Sequence, residues 1–273
     1  IARKPFIVFQ HVARDEHYAE IAVAPAGTPR SGTTFTGLIC ERVHFAADRG
    51  LCLMPAQDAL GPAVDARWFG SDFKPDAKSR MTGILSRARV SPDGRYGAAT
   101  TFITGHSYLD NGYSTLTELI DMQSGKRIAD LEKFKVTRDG EPFKAIDFNF
   151  WGVTFTRDGR RFYATLSTAG KMYLVEGDIQ TRRARVIHEG VECPSLSPDE
   201  TRIAYKKRGG NTWRLHVLDL ASGRETALAE TRSVDDQVEW LDDERIVYGL
   251  AGDVWVVPAD GGGKPRVYIP DAL

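Results

Sequence analysis

LSPDETRIAY, residues 196–205, places an apolar residue before a polar turn centred on Pro198 and Asp199 and then alternates into a strand that ends in an aromatic. Proline presets φ at the first central position of a turn, and an aspartate side chain accepts hydrogen bonds from the amides just after it, so the stretch reads as a tight hairpin. An apolar anchor with Asp three places later recurs at Phe45/Asp48, Val90/Asp93, Phe155/Asp158 and Trp240/Asp243. The five anchors follow one another at 45, 65, 41 and 44 residues. A repeat of about 40 to 45 residues is the period of a four-stranded propeller blade.

A second turn follows downstream of each hairpin: APAGTP at 24–29, DMQSGK at 121–126, GDIQTR at 177–182, DLASGR at 219–224 and PADGGG at 258–263. The two sets are offset. The first blade, on FIVFQHV and YAEIAVAP, has only the second signature, and the blade after it, on FAADRGLCL, has only the first. The chain is therefore expected to be all-β, one domain over 1–273, with six blades of four antiparallel strands near 1–37, 38–80, 81–146, 147–189, 190–231 and 232–273. Open sheet edges invite association, so the ring should close, with the C-terminal strand beyond Ile269 joining the first blade. The anchors should be buried on the innermost strands, and Asp93, Asp158 and Asp199 should act locally on their turns.

Charged residues are 27 % of the chain, the net charge is −1 and like charges do not cluster, which argues against nucleic-acid or anionic-membrane partners. No apolar run is long enough to span a bilayer. A monomer is expected. The first residue is Ile1 rather than Met, which suggests that an N-terminal piece was removed, as a signal peptide is, or left out in cloning. Of the three cysteines, Cys40 and Cys52 flank a hairpin, but counting from its turn sets Cys52 opposite a different residue. All three are expected to be small buried hydrophobes, with a Cys40–Cys52 bridge as the alternative.

Long loops on a rigid scaffold are where binding concentrates. The third blade carries two, GHSYLDNGYST at 105–115 and EKFKVTRDGEPFKAIDFN at 132–149, and the first exposes His106, Tyr108, Asp110, Asn111 and Tyr113. Propeller geometry also brings the segments leading into the innermost strands together at one mouth of the central channel. Four residues before each anchor stand Glu41, Ser86, Trp151, Glu192 and Asp236; three before stand Arg42, Arg87, Gly152, Cys193 and Gln237. Asp147, Asn149 and Asp235 lie just upstream, and Lys206, Lys207 and Arg208 lie in a connection on the same side. Carboxylates crowded at a mouth repel unless a cation or a base stands between them. Glu41, Asn149, Glu192 and Asp236 are the oxygen donors that would suit Ca²⁺; pairing with Arg42, Arg87 or Arg232 is the alternative.

VSPDGRY at 90–96, FTRDGRRFYA at 155–164, LSPDETRIAYKKR at 196–208 and WLDDERIVYG at 240–249 resemble the repeat of TolB-like β-propellers over nearly the whole chain. The resemblance implies a bacterial six-bladed propeller, periplasmic or extracellular, that binds a protein or peptide partner at the channel mouth. The family's N-terminal α/β domain has no counterpart in these residues. Related repeats occur in prolyl-oligopeptidase-type peptidases, but no G-x-S-x-G elbow occurs here. The alternative function is a Ca²⁺-dependent hydrolase or lactonase of the regucalcin and paraoxonase type, for which His44 or His106 would have to supply a base. The expected function is non-catalytic binding of a protein, a peptide or a small ligand at the mouth, with Trp151 as an anchor.

Overall fold

A computed structural model describes residues 5–103 and 114–273. The loop candidates His106, Tyr108, Asp110, Asn111 and Tyr113 lie outside the described residues. Apart from a 3-10 turn at Leu131–Lys133, the described elements are β-strands. Blade 1 holds β1 (Phe6–Gln10), β2 (Glu20–Pro25) and β3 (Thr34–Ile39). Blade 2 holds β4 (Arg42–Ala46), β5 (Arg49–Pro55), β6 (Ala63–Phe69) and β7 (Pro75–Thr82). Blade 3 holds β8 (Ile84–Val90), β9 (Tyr96–Ile103), β10 (Ser114–Asp121) and β11 (Arg127–Asp130). The chain then forms a small hairpin, β12 (Lys135–Arg138) and β13 (Glu141–Phe143), before blade 4 proper. That blade is β14 (Asn149–Phe155), β15 (Arg161–Thr168), β16 (Lys171–Asp178) and β17 (Arg183–Glu189). Blade 5 is β18 (Glu192–Leu196), β19 (Arg202–Gly209), β20 (Thr212–Asp219) and β21 (Glu225–Ala227). Blade 6 is β22 (Glu239–Trp240), β23 (Arg245–Leu250), β24 (Asp253–Pro258) and β25 (Arg266–Ile269). The molecule is an all-β, six-bladed propeller, as the repeat requires.

The turn aspartates act locally. Asp93 accepts from the Ser91 hydroxyl at 2.5 Å and the Arg95 amide at 3.0 Å, and Asp158 accepts from Thr156 and Arg160 at 2.7 and 2.9 Å. Asp199 accepts from the Ser197 hydroxyl at 2.5 Å and from the amide and hydroxyl of Thr201 at 3.1 and 2.9 Å. Burial pushes the Asp199 carboxyl up, but these donors outweigh it and hold it at about 2. A carboxyl lowered on folding adds stability above its unfolded pKa and loses it as pH falls through the folded one. Replacing Asp199 by Ala should therefore cost about 1 kcal/mol in a denaturant titration at neutral pH. The difference from the parent should shrink as pH falls from about 4 towards 2; a constant difference would show that the carboxylate is not its source.

Two copies of the turn depart from the pattern. In blade 6 Trp240 pairs with Ile246, one residue closer than Leu196 to Ile203, so the shortened hairpin gives the turn role to Asp242, which accepts from the Glu244 amide at 3.0 Å. Asp243 instead accepts from the Asp199 amide of blade 5 at 3.0 Å. In blade 2 Ala46 pairs with Arg49, leaving a two-residue turn of Ala47 and Asp48 with φ of 47° and 60°. Both angles are positive, as a type I′ hairpin requires.

Val90, Phe155, Leu196 and Trp240 are buried as expected, whereas Phe45 is only half-buried. Its neighbour is blade 1, where, among the described residues, β1 is flanked on its inner side by Asp271–Leu273 alone. Gln10 and Leu273 exchange amide-to-carbonyl bonds of 2.7 and 2.9 Å, and the Val12 amide donates to the Asp271 carbonyl at 2.9 Å. The C-terminus thus closes the ring over a single bridge, between His11 and Ala272.

The cysteines correct the sequence-based expectation. Cys52 lies opposite Val43, as counted, yet it forms a disulfide with Cys40. The turn from β3 into β4 brings the two Cα atoms to 5.5 Å, within the span a disulfide bridges. Cys193 alone is free, and it is buried. The β12–β13 hairpin falls within the range expected of the third blade, but β12 pairs in parallel with β17 and so widens the sheet of blade 4 to six strands. Between these two blades, half-buried Glu132 accepts from the Thr117 amide at 3.0 Å, the Thr115 hydroxyl at 2.9 Å and the Phe150 amide at 3.2 Å.

Candidate functional site

The inner strands run from the mouth to the hairpin turns, and three of them carry one extra residue near the mouth. Register shifts fall between Leu85 and Arg87, Trp151 and Thr154, and Glu192 and Ser195. Such a bulge turns the next side chain aside and bends the strand. In blade 4 the left-handed residue is Gly152, at φ 63°, where a Cβ would stand 2.6 Å from the Cα of Cys193. Cys193 holds the equivalent place in blade 5 at φ 51°, its amide donating to Thr165 Oγ1 at 2.9 Å.

Most of the expected mouth residues have fixed partners. Buried Glu192 accepts from the Trp213 indole at 3.1 Å, and that ring lies under two cations, Lys206 at 4.9 Å and Arg208 at 5.3 Å. Lys206 also pairs with Asp235. Arg87 reaches Asp236 at 3.4 Å and the Ser86 carbonyl at 3.1 Å, and Arg42 donates to that same carbonyl at 3.0 Å. The Gln237 side chain donates to the carbonyls of Pro194 at 2.7 Å and Val153 at 3.2 Å, spanning blades 4, 5 and 6. Asn149 accepts from the Thr115 amide at 2.7 Å and donates to the Asp147 carbonyl at 3.0 Å; the Asp147 carboxylate takes Thr168 and the Ala169 amide at 2.5 and 2.7 Å. Glu41 is exposed on the channel rim. Trp151 is half-buried, and its indole N–H has no partner among the described residues. Arg232 is held by Glu230 at 2.6 Å. Among the described residues, no three His, Cys, Asp or Glu side chains are grouped so as to hold a metal ion.

The sequence left the centre of the channel unread. Arg89, on the inner strand of blade 3, is 6 % exposed and crosses the axis. Its guanidinium pairs with Glu239 and reaches the carbonyls of Val153 and Val238, both at 3.4 Å, so it touches blades 4 and 6. His44 of blade 2 lies 3.0 Å from it, and Nδ1 of that ring accepts from the Val90 amide at 3.0 Å. Burial, with Arg89 alongside, holds His44 well below the usual histidine range, and its Nδ1 lone pair is already taken by the Val90 amide. Burial also draws Arg89 down to about 10, still charged at neutral pH. Around this plug runs a cavity of about 930 Å³, lined at the mouth by Glu41, Arg42, Arg87 and Asp236 and at the far end by Pro92, Arg157 and Glu200. Trp213 and the exposed Ile39 and Ile84 are further mouth-side residues that the repeat did not mark.

No family model matches this chain, and no curated protein is similar to it in sequence. Solved structures are similar in fold. TolB from Acinetobacter baumannii superposes with a TM-score of 0.65 at 15 % identity over 95 % of this chain, which spans 64 % of that protein. A protein described as TolB from Agrobacterium tumefaciens gives 0.58 at 12 % identity, covering 86 % of this chain and 83 % of its own. An oligogalacturonate lyase in complex with manganese gives 0.56 at 10 % identity, covering 90 % and 70 %. The fold is that of TolB-like propellers; at these identities the likeness is one of architecture.

Proposed function

We propose that this TolB-like propeller is a non-catalytic module that binds a protein or peptide partner at the channel mouth. The observation that carries this reading is the prior commitment of the mouth's polar groups: Glu192 to Trp213, Asp235 to Lys206, Asp236 to Arg87 and Asn149 to Thr115. Paired charges around a half-buried Trp151 and the exposed Ile39 and Ile84 make a preorganised polar rim with apolar anchors, the composition of a protein-binding patch. The Cys40–Cys52 disulfide supports a periplasmic or extracellular setting, where such bonds persist.

Trp151→Ala should weaken capture of a partner from periplasmic extract by about 2 kcal/mol or more, roughly thirtyfold in Kd, with the fold unchanged. Unaltered capture would remove the site from this face. The calcium reading would use Glu41, Asn149, Glu192 and Asp236 together, and three of these four already hold partners. Added Ca²⁺ should therefore leave the melting temperature of the parent and of a Glu192→Gln, Asp236→Asn double variant unchanged. A rise in the parent that the double variant lacks would reinstate the metal and, with it, the hydrolase reading.

A further inference from the structure

The pairings of the mouth leave one cation over. Lys206 takes Asp235, Arg232 takes Glu230, and Arg87 reaches Asp236. Arg42 lines the same end of the channel, and among the described residues no carboxylate lies within ion-pair distance of it. Its Nε donates to the Ser86 carbonyl at 3.0 Å and its Nη1 to the Glu41 carbonyl at 3.1 Å, which leaves Nη2 without an acceptor among the described residues. The adjacent Glu41 carboxylate is exposed on the rim and forms no ion pair with it.

The bulge in β8 brings Arg87 to the same point. Leu85 pairs with Thr101 and Arg87 with Thr100, so Ser86 is the extra residue and its carbonyl leaves the ladder. Two guanidiniums share that oxygen, Arg87 through Nη1 at 3.1 Å and Arg42 through Nε at 3.0 Å. Like charges held this close repel unless an anion stands between them. Asp236 meets this need only in part: it lies 3.4 Å from Arg87 Nη2, and its Oδ1 also takes the Gln237 amide at 2.7 Å. Nε of Arg87 is buried and has no partner among the described residues. Deeper in, Arg89 is engaged with Glu239 and crosses the channel below the two.

We propose that Arg42 and Arg87 bind a carboxylate that the partner carries into the channel entrance, either its C-terminal group or an aspartate or glutamate side chain. The site rests on the mouth reading given above and names the group the partner must present. The unmet donors, Nη2 of Arg42 and Nε of Arg87, belong to planar forks whose geometry a carboxylate matches. The charge matches as well: Arg42 is uncompensated, and a carboxylate brings a single negative charge. The line Asp271–Leu273 runs down β1 from Val12 to Gln10, away from this rim, so the site does not depend on what occupies the lower channel.

The probes are tetrapeptides dye-labelled at the N-terminus and followed by fluorescence anisotropy: Gly-Ser-Gly-Leu with a free C-terminus, the same peptide as its C-terminal amide, and the amide with aspartate in place of serine. At least one acid-bearing peptide should bind saturably, with Kd below about 1 mM and about tenfold or more tighter than the neutral amide. Which of the two acids binds better identifies the source of the carboxylate. Arg42→Gln, which keeps a donor for the Ser86 carbonyl but removes the charge, should weaken the acid peptide about tenfold with the melting temperature unchanged. The proposal is overturned if the acid and neutral peptides bind alike, if none binds saturably, or if Arg42→Gln binds the acid peptide as the parent does. Its failure is separable from that of the mouth reading. Full capture of the extract partner by Arg42→Gln, with capture lost in Trp151→Ala, would overturn the carboxylate site alone; acid-peptide binding that needs Arg42, with capture unaltered in Trp151→Ala, would keep the carboxylate site and remove the protein partner from this face.

Discussion

Trp240→Ala should lower the free energy of unfolding by about 3 to 5 kcal/mol in a denaturant titration. Trp240 is 6 % exposed and packs with Ala204, Leu215, Val238, Ile246 and Tyr248, where blade 6 meets blade 5. Its indole N–H donates to the Ser195 carbonyl at 2.9 Å, and the Arg202 guanidinium lies 5.1 Å from the ring centroid. Truncation opens a large cavity and leaves a buried carbonyl without its donor, two costs that add. A loss below about 1 kcal/mol would mean that the two blades do not pack through this ring.

The second large effect is expected at Arg89. Its side chain is 7 % exposed and meets blades 2, 4, 5 and 6 around the axis. Removing one partner of a buried charged network costs about 3 to 5 kcal/mol, because the remaining polar groups lose their donor. Arg89→Ala should fall in that range, measured by chemical denaturation. Arg89→Met, which keeps the length without the charge, should cost less, since its chain retains packing that alanine loses. Equal losses in the two variants would assign the whole effect to lost hydrogen bonds and none to packing.

What the sequence made legible was local chemistry repeated at a fixed period. The anchors and the turns at Asp93, Asp158 and Asp199 follow from a few neighbouring residues, so reading them needs no knowledge of the ring. The mouth was legible as a set of positions but not as a set of contacts. The bulges at Gly152 and Cys193 break the simple count back from each anchor, and Gly152 was the one signal of the extra residue. Glu192 looked like a cation ligand because its partner, Trp213, lies on a strand that no repeat signature marks. Arg89 reads as one polar residue on an alternating strand, and becomes a hub only when distant inner strands surround it. The Cys40–Cys52 bridge escaped a strict hairpin count because the turn leading into β4, rather than the hairpin ladder, sets its geometry.

The single-bridge closure bears on the order in which the molecule assembles. Bringing together chain segments costs conformational entropy that grows with the logarithm of their separation. Gln10 and Leu273 lie near opposite ends of the sequence, so few pairings in the molecule require a longer loop to close. The hairpins of blades 2 to 6 each close within a few residues and can form without it. The parallel pairing of β12 with β17 is intermediate, since it must await the strand that ends blade 4. On loop-closure entropy, assembly is expected to run from hairpins to blades to an open arc, with the pairing of Gln10 and Val12 to Leu273 and Asp271 formed last. A chain stalled at that step would have most of its β-structure but two unjoined edges, which makes the final closure the point where folding competes most directly with self-association.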